Sequence, residues 1–462
     1  MSVTREVSAV PERARGERSR RFGRTALAAL ILLCGVTLLL GFANKDRCTG
    51  PQFDQWGRSA PDYEERNKAE VCYSDIQHLW IGRDVDRHVF PYVHGSINSK
   101  GVLIGGTVEY PVLTGLLIWA GALFAHTDAA FLLFSALLMA PFGLATAWLL
   151  GKLSRWRALL WAIGPPMVLY AFHNWDLPVV FCAVAAVYVV HRGWGKTPKP
   201  LVDRAVVASV LLGVGFAFKI YPAAFVLPLC LYVLTGGREG LKDGERYDLA
   251  GAVKVAFASI VTVVLVNLPF AIAGFEGWQA SFTFQQLRRV DITTNSIWFW
   301  SMRPFMADQT MQGIVDVLSP VGILASFGLA CWLGWRRFRR EGGSYPWVPV
   351  SAAMLCGFLL LHKVHSPQYT LWLVPMFVLL RVPLGWAFAY FAADLAMGIG
   401  IFRWYYAIEF AQPSGIYDGF SAQAVVIGVW GRAALLAALF FVFLKARVTF
   451  PERERFLPKV SS

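Results

Sequence analysis

The feature that most constrains this chain is a ladder of apolar runs, each about 17–25 residues long, separated by short polar or basic loops. A helix of that length spans the hydrocarbon of a bilayer. Backbone amides and carbonyls there must pair within their own segment, which leaves helices as the solution for such runs. Composition agrees, with 56% hydrophobic and 16% charged residues against about 25% charged in soluble domains, and a mean hydropathy of +0.49. The sequence therefore predicts an all-α polytopic membrane protein.

The net charge of +13 does not signal nucleic acid, because the basic residues fall in short loops between spans. Basic loops mark the cytoplasmic side. Counting Tyr110–Ala125 as a full crossing would put Lys152, Arg155, Arg157, Arg192, Lys196, Lys199 and Arg204 on the external side and invert that bias. Reading residues 110–125 as a juxtamembrane or re-entrant element removes the conflict. About twelve spans then remain, near residues 25–43, 128–150, 157–172, 177–191, 204–219, 222–236, 250–274, 313–334, 346–361, 368–381, 384–402 and 422–444. This threading predicts a basic cytoplasmic tail over 1–24, a membrane domain over 25–445, a large first external loop over 44–109 and a cytoplasmic tail over 446–462. The arginine-rich lead before Thr25–Leu40 and the many later spans favour a retained first helix over a cleaved signal peptide.

The same threading gathers the polar clusters on the external side: Tyr73-Ser74-Asp75, Glu109-Tyr110-Pro111, His173-Asn174-Trp175-Asp176, Lys219, the 275–312 loop with Arg288 and Arg289, and His362-Lys363-Val364-His365-Ser366-Pro367-Gln368. Ionisable residues near membrane depth are candidates for function by default. Cys34, Cys182, Cys230, Cys331 and Cys356 lie in apolar spans as packing residues. Cys48 and Cys72 share the first loop, where a disulfide is open to them but spacing does not decide it. There is no Cys-x-x-Cys or His-Glu-x-x-His pattern to argue for a metal.

The order of these elements resembles the GT-C glycosyltransferases, and within them the actinobacterial polyprenol-phosphate-mannose-dependent mannosyltransferases of the glycosyltransferase 87 group. Tyr73-Ser74-Asp75-Ile76 stands where that family has its catalytic aspartate, and Tyr110-Pro111-Val112 resembles its Tyr-Pro-Pro element. His173-Asn174-Trp175-Asp176 stands where many members have Gly-Gln-x-Asn. Phe218-Lys219-Ile220-Tyr221-Pro222 resembles the Lys-x-x-Pro turn, and Ser366-Pro367-Gln368-Tyr369 the late Ser-Pro element. The chain departs from the pattern at Val112 and at His173-Asn174. The resemblance covers roughly residues 25–445 and implies a plasma-membrane enzyme whose site faces outward. It also implies a polyprenyl-phosphate-mannose donor and a glycolipid, lipoglycan or glycoprotein acceptor, with no cofactor or metal assigned.

Inverting transfer from such a donor needs a general base for the acceptor hydroxyl, and Asp75 is the candidate. Asp84 and Asp86 alternate with Arg83 and Arg87 and read more as a solvated charge cluster. Glu109 and Tyr110 are candidates for orienting the acceptor, and His173, Asn174, Asp176 and Gln368 for contacting substrate. Lys219, Lys363 and His365 are candidates for the donor phosphate, with His362 beside them. Arg288, Arg289 and Arg403 are candidates to cover the donor, though each reads more as a solvated loop charge. Trp80, Trp175, Trp298, Trp300 and Trp404 suit an interfacial belt better than sugar stacking. Competing readings are an arabinofuranosyl or other polyprenyl-linked transferase, an inactive scaffold for envelope assembly, and a lipid-linked sugar flippase. A flippase would more often show internal repeats, and none is visible.

Overall fold

The computed structural model describes residues 23–193, 199–241, 244–411, 415 and 417–450. Residues 1–22 of the expected N-terminal tail, residues 451–462 of the C-terminal one, and Lys196 of a basic loop lie outside the described residues. The first half of the chain forms α1 (Arg24–Asp46), α2 (Tyr63–Ala69), α3 (Asp75–Gly82), α4 (Val112–Ala122), α5 (Asp128–Ser154), α6 (Leu159–Ala162), α7 (Pro165–Tyr170), α8 (Leu177–Arg192) and α9 (Leu201–Phe218). The second half forms α10 (Val226–Leu234), α11 (Leu249–Ala273), α12 (Phe275–Leu287), α13 (Ile297–Met302), α14 (Asp308–Glu341), α15 (Trp347–Leu361), α16 (Thr370–Leu379), α17 (Leu384–Tyr406) and α18 (Phe420–Lys445). Four two-residue strands make two small antiparallel hairpins in the first loop, β1 (Gln52–Phe53) with β2 (Ser59–Ala60) and β3 (Ser96–Ile97) with β4 (Leu103–Ile104).

Seven helical segments among the described residues are long and apolar enough to cross a bilayer. They include α11 and α14, which turn Val253, Phe257, Ile260, Leu265, Val321 and Leu324 outward. A stripe of that kind suits hydrocarbon and not water. Shorter helices fill the middle of the bundle. Helix α16 has ten residues, about 15 Å of rise, too short to span alone. All ten are buried, so protein surrounds the non-helical backbone at its ends. The chain is an all-α polytopic membrane protein.

Contacts sort the helix ends into two rims. At the basic rim Ser154 meets Thr449, Arg192 donates to the Lys152 carbonyl, and Arg337 donates to the carbonyls of Leu444 and Ala446. At the opposite rim Lys45 donates to the Tyr73 carbonyl, Lys219 meets Asn174, and Trp298 donates to the Leu361 carbonyl. Both flanks of α4 lie at this second rim. Thr114 donates to the Phe218 carbonyl, His88 Nε2 lies 2.9 Å from the Ala125 carbonyl, and Asp128 accepts from Ser59.

Three expected helices are interrupted. The span expected over 157–172 is a 3₁₀ turn (Arg155–Ala158), α6 and α7, broken at Ile163-Gly164. Pro165 and Pro166 have no N–H to continue the ladder, and a Cβ on Gly164 would lie 2.2 Å from the Leu160 carbonyl oxygen. The segment expected over 222–236 begins as a 3₁₀ turn, Tyr221–Phe225, and the one over 368–381 as Pro367–Tyr369. The loop expected over 275–312 contains α12 and α13. Helix α12 lies directly on the first loop: a Cβ on Gly277 would sit 1.9 Å from the Tyr92 carbonyl oxygen, so only glycine permits the approach. Cys48 and Cys72 form a disulfide, which ties the start of the first loop to the residue preceding Tyr73.

Candidate functional site

Asp75 opens α3, and the backbone around it is clamped before any side chain is considered. Its N–H donates to the His173 carbonyl at 2.8 Å. Ser74 caps the helix by accepting from Ile76 N–H while donating to the Phe172 carbonyl at 2.7 Å. Lys45, at the end of α1, donates to the Tyr73 carbonyl at 2.8 Å. Two segments distant in sequence, the end of α1 and the Phe172-His173 turn, thus fix the backbone that carries this carboxylate.

Asn174 links that carboxylate to a cation. Its Nδ2 donates to Asp75 Oδ2 at 2.6 Å and to the Tyr110 hydroxyl at 2.7 Å. Its Oδ1 accepts from Lys219 Nζ at 2.8 Å and from Trp175 N–H at 2.7 Å. The amide is saturated, so its orientation is determined. Lys219 also lies 4.1 Å over the Tyr110 ring, a cation–π contact. Asp176 lies behind this group, accepting from Trp372 Nε1 at 2.7 Å.

The electrostatics follow from burial and these contacts. Burial pushes the Asp75 carboxyl up, but His173, the Asn174 amide, His78 and the Tyr73 phenol outweigh it, leaving the pKa below the usual carboxylate value. Burial holds His173 down at about 4, so its ring is neutral at pH 7. Burial lowers the Lys219 pKa, with Asp176 and Asp75 opposing. Burial raises that of Asp176, with Lys219 opposing.

Asp75, Glu109, Tyr110, His173, Asn174, Lys219, Arg288, Lys363 and Gln368 all line one cavity of about 980 Å³. Glu109 is already committed to an ion pair with Arg83 at 3.0 Å, and Lys363 to Asp316 at 3.1 Å. Arg288, on the extended segment after α12, has no hydrogen bond or ion pair among the described residues. The Gln368 Oε1 is buried with no hydrogen-bond partner among the described residues. His362 also lines the cavity. It stacks on Phe358 with ring centroids 4.8 Å apart, and burial takes it down to about 4.

Asp176, Arg289 and His365 do not line the cavity. Arg289 is exposed, because consecutive residues of an extended segment point to opposite sides and Arg288 takes the inward one. His365 is turned into the bundle, where its Nδ1 lies 2.8 Å from the Leu359 carbonyl and its own N–H reaches the Thr294 carbonyl. Asp84 accepts from Gly105 N–H, and neither it, Asp86 nor Arg403 reaches the cavity. Trp80, Trp175, Trp300 and Trp404 are buried packing residues, and Trp298 is tied to the Leu361 carbonyl. The cavity's aromatic wall is a different set: Trp372 stacked on Tyr369 at 3.9 Å, and Tyr73 stacked on Phe402 at 5.2 Å. Sequence reading passed over Phe402 because it is one apolar residue within an apolar span. Tyr73 and Tyr369 belong to the Tyr73-Ser74-Asp75 and Ser366-Pro367-Gln368-Tyr369 motifs themselves. Among the described residues, no three His, Cys, Asp or Glu side chains converge as metal ligands.

The arrangement offers a carboxylate of lowered pKa and a cation with no anion partner among the described residues, in one partly apolar chamber. A family model for glycosyltransferase family 87 matches residues 109–367, a stretch that holds Glu109, Tyr110, His173, Asn174, Lys219, Arg288 and Lys363 but not Asp75, Gln368, Tyr369, Trp372 or Phe402. GPI mannosyltransferase 1 of Saccharomyces cerevisiae is 22% identical over 394 residues, covering 80% of this chain and 88% of the yeast protein.

Proposed function

The chain belongs to glycosyltransferase family 87, and from that premise we propose that it moves a sugar, mannose in our reading, from a polyprenyl phosphate to an acceptor hydroxyl of the cell envelope. The observation that carries the reading is that Asp75 and Arg288 open into the same cavity. One is a carboxylate held ionised, and the other a cation with no anion among the described residues.

In this mechanism the donor phosphate lies against Arg288, while Lys219 and Lys363, the latter still paired to Asp316, add positive charge around it. The acceptor hydroxyl attacks the anomeric carbon on the face opposite the phosphate. As the new C–O bond forms, the bond to the phosphate oxygen breaks and its electron pair leaves with the polyprenyl phosphate. The hydroxyl proton passes to Asp75, and configuration inverts. Phosphate departs as a stable anion, so a base suffices and no strong acid is needed. The cations stabilise charge that grows on the leaving oxygen. The lowered pKa keeps the base unprotonated in the empty site, and an arriving phosphate raises it toward working pH. Pro320, Ile323 and Phe358 supply an apolar wall suited to the polyprenyl chain.

The basic rim suits the cytoplasmic face of the plasma membrane. On this reading both termini lie inside and the cavity outside, and the catalytic unit runs over residues 25–445. The likeness to the yeast mannosyltransferase supports mannose over arabinofuranose. The test is a purified preparation in nanodiscs given radiolabelled polyprenyl-phosphate mannose and a membrane-lipid acceptor extract. We expect labelled product whose new glycosidic bond is inverted relative to the donor. Retained configuration, or label taken only from a nucleotide sugar, would overturn the proposal.

A further inference from the structure

A second cavity, of about 570 Å³, lies at the basic rim, at the opposite end of the bundle from Asp75. It is walled by the ends of α8, α10, α14 and α18 and by the start of α15. Its floor is aromatic and buried: Trp347, Tyr232 and Tyr345. Trp347 Nε1 donates to His191 Nε2 at 3.0 Å, and the two rings lie nearly parallel, 10° apart. That bond makes His191 Nε2 the acceptor, so the ring does not add a fixed charge through this nitrogen.

The charge comes from three guanidinium groups. Arg337 is anchored by the Leu444 and Ala446 carbonyls, at 2.7 and 2.9 Å, and by Glu341 at 3.0 Å. Arg238 lies 5.6 Å over the Phe450 ring. Arg447 lines the cavity with no side-chain hydrogen bond or ion pair among the described residues. Among the described lining residues Glu341 is the one carboxylate, and Arg337 and Arg447 by themselves leave the cavity positive. Between α14 and α15, Gly342 and Gly343 hold φ of +67° and +80°. Glycine alone takes such angles freely, and the turn walls the cavity without bulky side chains.

An aromatic floor beneath guanidinium forks, at the end of a transmembrane bundle, matches the chemistry of a lipid headgroup at the interface. Guanidinium binds phosphate oxygens in pairs, and basic pockets between transmembrane helices bind anionic headgroups. We propose that this cavity binds the phosphate diester headgroup of an anionic glycerophospholipid. The site is remote from Asp75, so the proposal stands or falls independently of the sugar-transfer reading.

The test is thermal unfolding of the full chain in neutral detergent, titrated with phosphatidylglycerol, phosphatidylcholine or inorganic phosphate. We expect saturable stabilisation by phosphatidylglycerol alone. Arg447→Gln should weaken its apparent affinity about tenfold, since a hydrogen bond to a charged group is worth about 1.5–3 kcal/mol. Arg447→Lys, which keeps the charge but loses the fork, should fall between the two. Equal stabilisation by phosphatidylcholine would overturn the proposal, as would unchanged phosphatidylglycerol affinity in both variants. Stabilisation by inorganic phosphate to the same extent would make this a free-anion site and overturn the lipid assignment.

Discussion

Replacing Asn174 by aspartate tests how the base is held. The side chains are isosteric, so the variant keeps the volume of a site in which Asn174 is 1% exposed. It exchanges the Nδ2 that donates to Asp75 Oδ2 at 2.6 Å for a second carboxylate oxygen. Two carboxylates at that distance do not both ionise, and the pair shares a proton. The lost charge-assisted bond alone is worth about 1.5–3 kcal/mol, which is about ten- to a hundredfold in rate. Lys219, 2.8 Å from the other oxygen of the side chain, offsets part of the new repulsion, so the bond sets the scale. In the wild type the Asp75 pKa is lowered, so its stabilisation is present above the unfolded-state value and is lost as pH falls through the folded one. In Asn174→Asp the pair's pKa is raised, and the variant loses stability as pH rises through it. The assay is kcat/KM for labelled donor against pH in nanodiscs. The acidic limb should move to higher pH with activity at pH 7 reduced, and Asn174→Ala should move it the same way by less. An acidic limb that coincides with wild type, or moves down, would refute Asp75 as the titrating base.

Arg288→Gln should raise the donor KM about tenfold or more, from the same charged hydrogen-bond scale, with a smaller change in kcat; steady-state kinetics with the labelled donor read this directly. Tyr110→Phe removes the hydroxyl that accepts from Asn174 at 2.7 Å and keeps the ring under Lys219. It should cost about 0.5–1.5 kcal/mol, seen as a several-fold loss in kcat without loss of donor binding. A Cys48→Ser/Cys72→Ser double variant opens the covalent loop that ends beside Tyr73 and should lower stability by about 2–4 kcal/mol, read from chemical or thermal unfolding.

Much of the bundle was legible because it is set by hydropathy and length, which are local properties. The interruption at Gly164-Pro165-Pro166 was equally local, and was missed by averaging it into one apolar run. The juxtaposition of Asp75, Asn174 and Lys219 was readable only as shared sidedness. That the amide of Asn174 stands between the other two depends on side-chain directions fixed by tertiary contacts, such as Asp75 N–H on the His173 carbonyl. The same reason explains His365. Its neighbours Lys363 and Ser366 face the cavity, yet the Thr294 carbonyl takes its N–H and the ring goes inward. The Arg83–Glu109 pair joins residues 26 positions apart in an irregular loop, where no periodicity foretells a partner.

The most direct test of the account compares wild type with Asp75→Asn for transfer from polyprenyl-phosphate mannose, with donor binding measured on the same preparations. The account predicts that the amide variant binds the donor and transfers almost no label. Transfer by Asp75→Asn at the wild-type rate would contradict it.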